Sequence, residues 1–213
     1  MRWIPAGSRL IGMSSRTARD LLVWLHVLTS VAWMSQALAL VALQAYTLST
    51  RDPAGLAMAR VLDHTVLMHL ANASAFTGIM LAAMTPWGFF RYWWVLLKFV
   101  ITLTQLYLGI FVLSGQLQRG AIGPLSVAGA SLMVSAIAFQ AWLSIAKPWK
   151  RTPWAASVKP PTAPVWLLLA ACALPFADYA LTWALLGAPV PMVQLLAVVV
   201  YPAYRWFSNR SDG

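Results

Sequence analysis

The sequence predicts an all-α polytopic bundle of six transmembrane helices with both termini on the cytoplasmic side. Three observations lead there. Hydrophobic residues make up 61% of the chain and charged residues 9%, where a soluble domain carries about 25% charged residues. Six apolar runs approach the roughly 20 residues needed to cross a bilayer core. Lys and Arg fall in alternate gaps between those runs, as they do when cytoplasmic loops collect them.

The elements follow in order. Residues 1–20 hold Arg2, Arg9, Arg16 and Arg19, interrupted by Pro5 and Gly7. No short apolar stretch there ends at a small-residue cleavage site, so this reads as a basic cytoplasmic segment ahead of a retained span. The first span covers about 21–48. The second covers about 65–84 as the end of a longer helix, because Asp52-Pro53 supplies an N-cap followed by proline at the first helical position. The early turns of that helix should project beyond the outer leaflet or lie tilted on it. The third span is about 92–118 and the fourth about 125–146.

A Pro-rich, basic cytoplasmic linker at 147–164 then separates a four-span unit (21–146) from a two-span hairpin (165–207), and 208–213 form a cytoplasmic tail. Within the hairpin the fifth span is about 165–186. The sixth, about 190–207, is the shortest. Charge decides whether it crosses: six spans put 12 Lys and Arg inside against 3 outside, and five spans put 10 against 5. Six is the better fit.

Aromatic residues agree with these boundaries. Trp87, Phe89, Phe90, Tyr92, Trp93 and Trp94 cluster in one turn, and Trp149, Trp154, Tyr204 and Trp206 mark others. Indole and phenol rings favour the headgroup level. In that turn Pro86 and Gly88 make a tight reversal, Arg91 meets lipid phosphate, and Trp87, Trp93 and Trp94 anchor the interface.

Composition also narrows function. The net charge of +10 is divided among loops, which points to anionic lipids at the inner face and not to nucleic acid. A single cysteine, Cys172, excludes an intrachain disulfide or a multi-cysteine metal site. Nucleotide-binding loops, zinc-protease motifs and nucleophile elbows are all missing from the sequence.

The candidate functional residues are the polar groups inside spans, because burying them is costly unless they are paired. Asp178 is the most expensive and stands three residues after Pro175, which kinks its helix. It is either hydrogen-bonded to neighbours such as Tyr179 or Thr182, or part of an ion or proton path. Lys98 lies about one and a half turns into the third span and can snorkel to the inner headgroups. His26 lies roughly 8 Å in from the inner boundary. His69 and Asn72 lie in the second span, with His69 near its outer end, so His26 and His69 should differ in depth by more than roughly 15 Å. His64 and His69 do not share a helix face. Thr102 and Gln105 read as interhelical hydrogen-bonding groups, and Ala71, Ala75, Gly78 and Ala82 as a small-residue stripe for close helix approach.

Two segments carry a resemblance. Trp24-Leu25-His26-Val27-Leu28-Thr29-Ser30-Val31-Ala32-Trp33 and Thr85-Pro86-Trp87-Gly88-Phe89-Phe90-Arg91-Tyr92-Trp93-Trp94-Val95-Leu96-Leu97-Lys98 resemble an uncharacterised family of polytopic integral membrane proteins common in actinobacteria. The first segment is also distantly similar to the copper-resistance CopD-type membrane domain. The resemblance spans about 22–113. It implies a bacterial plasma membrane protein, and its CopD-like part implies haem b or copper with His26 as ligand. Tyr92 stands where relatives often carry histidine, and Met34-Ser35-Gln36 where they carry a small glycine.

The expected role is a non-enzymatic accessory or scaffold subunit of the inner membrane, with partner membrane proteins or a second copy of itself. The alternatives are a small proton-coupled transporter using Asp178, and a haem- or copper-handling protein using His26.

Overall fold

The structure is a computed structural model that describes residues 13–155 and 159–211, with the side chains of 206 and 208–211 omitted. Arg2, Arg9, part of the expected linker, and the side chains of Trp206 and Arg210 therefore lie outside the described residues. Helices run over α1 (Ser15–Thr50), α2 (Pro53–Met84), α3 (Trp93–Gln118), α4 (Pro124–Ala146), α5 (Val165–Leu186) and α6 (Met192–Ser211). Among the described residues there is no β-strand beyond one isolated bridge, Tyr92 with Arg151. The fold is an all-α bundle. Five helices are long and apolar enough to cross a membrane, and the apolar part of α6, Met192–Arg205, is shorter.

Local chemistry sets the ends. Ser14 caps α1 by accepting the Thr17 N–H at 3.1 Å. Asp52 caps α2 by accepting the Ala54 N–H at 2.9 Å, with Pro53 behind it. The Gly187 N–H closes α5 onto the Trp183 carbonyl in the left-handed conformation that glycine adopts without strain. Arg60 finishes α3 from outside, donating to the Leu117 and Gln118 carbonyls at 3.1 and 2.8 Å.

The first turns of α2 do not stand alone. The last turns of α1 run beside them, and a Cβ on Gly55 would come within 2.4 Å of Thr47 Oγ1. Each of α2 and α3 contains a π-helical segment, Asp63–Leu67 and Leu108–Ser114, and the two are tied by Ser114 Oγ donating to Asp63 at 2.6 Å.

Helix α2 sits at the centre. Its residues 73–77 and 80–84 are buried on every side, while α3, α4, α1, α5 and α6 form an arc around it. The outer helices bury single stripes at 3–4 residue spacing, such as Leu168, Ala171, Pro175, Asp178 and Thr182 on α5. One core joins front and tail: Leu22 of α1, Phe76, Met80 and Met84 of α2, and Leu168 and Ala171 of α5.

Consecutive helices are antiparallel, so one end of the bundle is basic. It gathers the start of α1, the 85–92 turn, the linker and Arg205. The Ala163 N–H donates to the Met84 carbonyl at 2.8 Å, and Arg205 donates to the Ala83 and Pro161 carbonyls. Arg205 thus brings the C-terminal half of α6 back to the same end as the N-terminus of α1.

Helix α6 does not start at the opposite end. Asp178 accepts the N–H groups of Val193 and Gln194 at 3.1 and 2.9 Å. Asp178 precedes the end of α5 by eight residues, so α6 begins roughly 12 Å inside the bundle's far edge. The 187–191 loop folds back down beside α5, and the Val190 N–H reaches Thr182 Oγ1 at 3.0 Å. Irregular backbone at membrane depth needs every donor satisfied. Pro189 and Pro191 bring no N–H at all, and Thr182 and Asp178 take up donors of the loop and of the first turn of α6.

Candidate functional site

Two polar seams face each other inside the front four helices. The first joins α1 to α2. His26 Nδ1 lies 3.1 Å from both the Ser74 carbonyl and Thr77 Oγ1. A carbonyl only accepts, so Nδ1 carries the proton it shares with Ser74. Gly78 makes room for the ring, since a Cβ there would lie 2.9 Å from His26 Cε1. One turn further, Ser30 donates to the His26 carbonyl and meets Ser74 Oγ, both at 2.7 Å. The small-residue stripe of α2 thus serves close approach, and at Gly78 the approaching group is an imidazole.

The second seam joins α3 to α4. Lys98 Nζ donates to Ser144 Oγ at 2.6 Å. Thr102 donates to Gln140 Oε1 at 2.9 Å, Gln140 Nε2 to Gln105 Oε1 at 2.5 Å, and Gln105 Nε2 to the Met133 carbonyl at 3.0 Å. Thr102 and Gln105 therefore act across helices, as their types suggest. The Lys98 ammonium meets α4 at Ser144, two residues before that helix ends at the basic end. Gln140 and Ser144 went unnoticed in the sequence. Their spacing of four, opposite Thr102 and Gln105 at a spacing of three, was the available sign.

Between the seams lies a cavity of about 740 Å³, within the roughly 300–1,000 Å³ typical of small-molecule sites. His26, Ser74, Lys98, Thr102, Gln140 and Ser144 supply its polar lining. Trp33 and Ile137, which belong to one buried cluster, close its deep end. Arg19, Asp20 and Lys147 stand at its mouth on the basic end, with Trp87 and Phe89 beside them. Val27 and Val31 of α1 and Ile145 of α4 line the cavity and are also exposed on the bundle surface. The space therefore reaches the apolar exterior between α1 and α4 as well as the basic end.

No known protein family, curated protein or solved structure matches this chain. The site is read from its own geometry.

The other sequence candidates lie elsewhere. Asp178 is 1% exposed and is occupied as the cap of α6, with Gln194 Nε2 a third donor at 3.4 Å. It does not line the cavity. His69 turns to α5, where its ring meets Tyr179 edge-on at 4.8 Å, and Asn72 lies by the same phenol. His26 is level with 74–78 of α2, five to nine residues from His69, so the two differ in depth by roughly 8–14 Å. That is less than the expected separation, because His26 reaches to α2 well inside the bundle. They still belong to different sites.

The 85–92 turn differs from the expectation at Arg91. This residue is only 7% exposed, and its carbonyl accepts the Thr152 N–H at 3.1 Å. The linker folds over the turn at this residue, and Thr152 also donates to the Phe90 carbonyl. Trp94 is buried against Trp87 at 5.9 Å, while the half-exposed Trp93 meets Trp154 at 5.2 Å. Trp87 and Trp94 both line the cavity, so two of the three expected anchors form part of its wall.

The donor set can be tested against a cofactor. His26 is the one imidazole on the cavity, and Met34 is the nearest soft ligand type on its wall, two turns along the same helix. Among the described residues no three His, Cys, Asp or Glu side chains gather to hold a metal. An ammonium, amides and hydroxyls complete the lining, and these suit oxyanions, not copper. The residues present do not fit a copper site.

Proposed function

We propose that this chain is a non-enzymatic protein of the bacterial plasma membrane that holds a membrane-soluble ligand between α1, α2, α3 and α4, as an accessory binding subunit. The observation that carries this reading is the cavity of about 740 Å³, walled by two polar seams and open both to the basic end and to the apolar surface. A dry helical scaffold would close such a space with side chains. Binding, not chemistry, is supported by the state of the polar groups: Ser30, Thr102, Gln140 and Ser144 are all committed to bonds between or within helices. The basic end would face the cytoplasm, by the charge distribution.

Native mass spectrometry of protein extracted in mild detergent tests this. A ligand of lipid size should remain on the wild type and be lost from Ala141→Trp, which fills the cavity wall. Leu132→Trp, on the outer surface of α4, should retain it. Absence of any adduct, together with no binding of a hydrophobic photoprobe, overturns the reading. The same preparation reports on haem: a Soret band abolished by His26→Ala would replace it with a haem-binding function.

A further inference from the structure

Charge inside the cavity narrows the ligand further. Asp20 is the carboxylate that lines it, and it is already paired with Arg19 at 2.7 Å and with Arg16 at 4.0 Å. Those are the ion pairs among the described residues. Lys98 therefore has no carboxylate partner there, and neither has Lys147 at the mouth. An ammonium carries three donors, and the Ser144 hydroxyl takes one. That hydroxyl gives its own proton to the Gln140 carbonyl at 3.0 Å. The Gln140 side chain accepts from Thr102 and donates one of its two N–H groups to Gln105, and it carries no charge. Lys98 is thus the charged group on this wall with donors in reserve, and a half-buried cation without a counter-charge favours an anion beside it.

The remaining walls are apolar. Val27, Val31, Ile79, Phe99 and Ile145 surround the space, and three of these also face the exterior. A small hydrophilic anion would gain nothing from them. We propose, resting on the cavity as a ligand site, that its occupant is an anionic amphiphile. Its carboxylate or phosphate head sits on Lys98 beside Ser144, and its apolar tail lies along α1 and α4 toward the bilayer. The head contributes the missing counter-charge, and charge-assisted bonds to the ammonium give the preference for an oxyanion. The opening between α1 and α4 lets such a molecule enter sideways from the leaflet at the basic end.

The experiment measures binding of four probes to the detergent-solubilised full chain: oleate, oleoyl lysophosphatidate, monoolein and inorganic phosphate. The two anionic amphiphiles should bind at least about tenfold more tightly than neutral monoolein, the scale of one charge-assisted bond. Lys98→Gln should erase that preference while monoolein still binds, and Lys98→Arg should retain it. Oleate should also protect Lys98 of the wild type from acetylation, a readout that needs no variant to fold.

Equal binding of oleate and monoolein overturns the anionic head and leaves the cavity reading standing. Failure of all three amphiphiles overturns the cavity reading itself. Binding of inorganic phosphate at Lys98 without any amphiphile shows a site for a free anion and overturns the tail. A strong preference for one anionic amphiphile over the other supports the proposal and identifies the head.

Discussion

Replacing Asp178 by alanine separates a structural carboxylate from a conducting one. In the native protein its two oxygens accept the N–H groups of Val193 and Gln194 at 3.1 and 2.9 Å, and the side chain is 1% exposed. Alanine leaves both donors without a partner where water does not reach. At roughly 1–3 kcal/mol for each buried donor left unsatisfied, the loss is about 2–6 kcal/mol. The positive end of the α6 dipole also loses its counter-charge. Asparagine keeps one acceptor oxygen and forfeits the charge, so its loss should fall below that of alanine. Equilibrium unfolding in mixed micelles measures both, and protease sensitivity of the 187–191 loop reports where the damage lies. Ligand binding should survive at temperatures where the variant remains folded, because Asp178 is not on the cavity wall. A fully stable Asp178→Ala variant that has lost binding or proton-coupled uptake would refute the capping role and restore the transporter reading.

Further outcomes follow from other contacts. Gly78→Ala should displace the His26 ring from Ser74, because its Cβ would lie 2.9 Å from Cε1. The strain of about 1–3 kcal/mol exceeds the gain of up to about 1 kcal/mol in helix propensity, so the melting temperature should fall. Arg205→Ala frees the Ala83 and Pro161 carbonyls. It should cost about 1.5–3 kcal/mol for each bond that is not replaced by water, and should speed proteolysis between α4 and α5 without altering the order of the other helices. In a Cys172→Ser background, cysteine at Thr50 should react with an impermeant maleimide added to intact cells and cysteine at Ser14 should not. The opposite pattern would invert the proposed orientation.

The helices were legible from the sequence because their determinants are local. Apolar length, Asp52-Pro53 and the basic gaps each act within a few residues, and the observed bounds of α5 coincide with the expected 165–186. The charge rule also placed Arg205 at the basic end, where it reaches α2. The depth at which α6 starts was not legible. A run from 190 to 207 has the same hydropathy whether it begins at the edge or halfway down, and only the Asp178 and Thr182 bonds distinguish the two. For the same reason a carboxylate in a span reads alike as a cap or as a proton carrier.

The cavity was half legible. His26 and Lys98 stand out by their cost, but their depth relative to Gln140 and Ser144 depends on how α1, α2, α3 and α4 are offset, which no single helix encodes. Arg91 shows the same limit. Its position beside aromatics suggested lipid, and only the return of the linker at Thr152 buries it.

The shortness of α6 has a consequence for how the protein is made. Its apolar part, Met192–Arg205, is about 21 Å long, less than the bilayer core of about 30 Å, so it is a poor candidate to insert by itself. With the proposed membrane placement, α5 would carry Asp178 into the bilayer without the N–H groups that later satisfy it. Each segment is a weak insertion substrate until the other arrives, and the two are expected to enter as a pair. A chain stopped between 187 and 191 would therefore display a bare carboxylate in α5, a mark by which membrane quality control could tell an unfinished copy from a complete one.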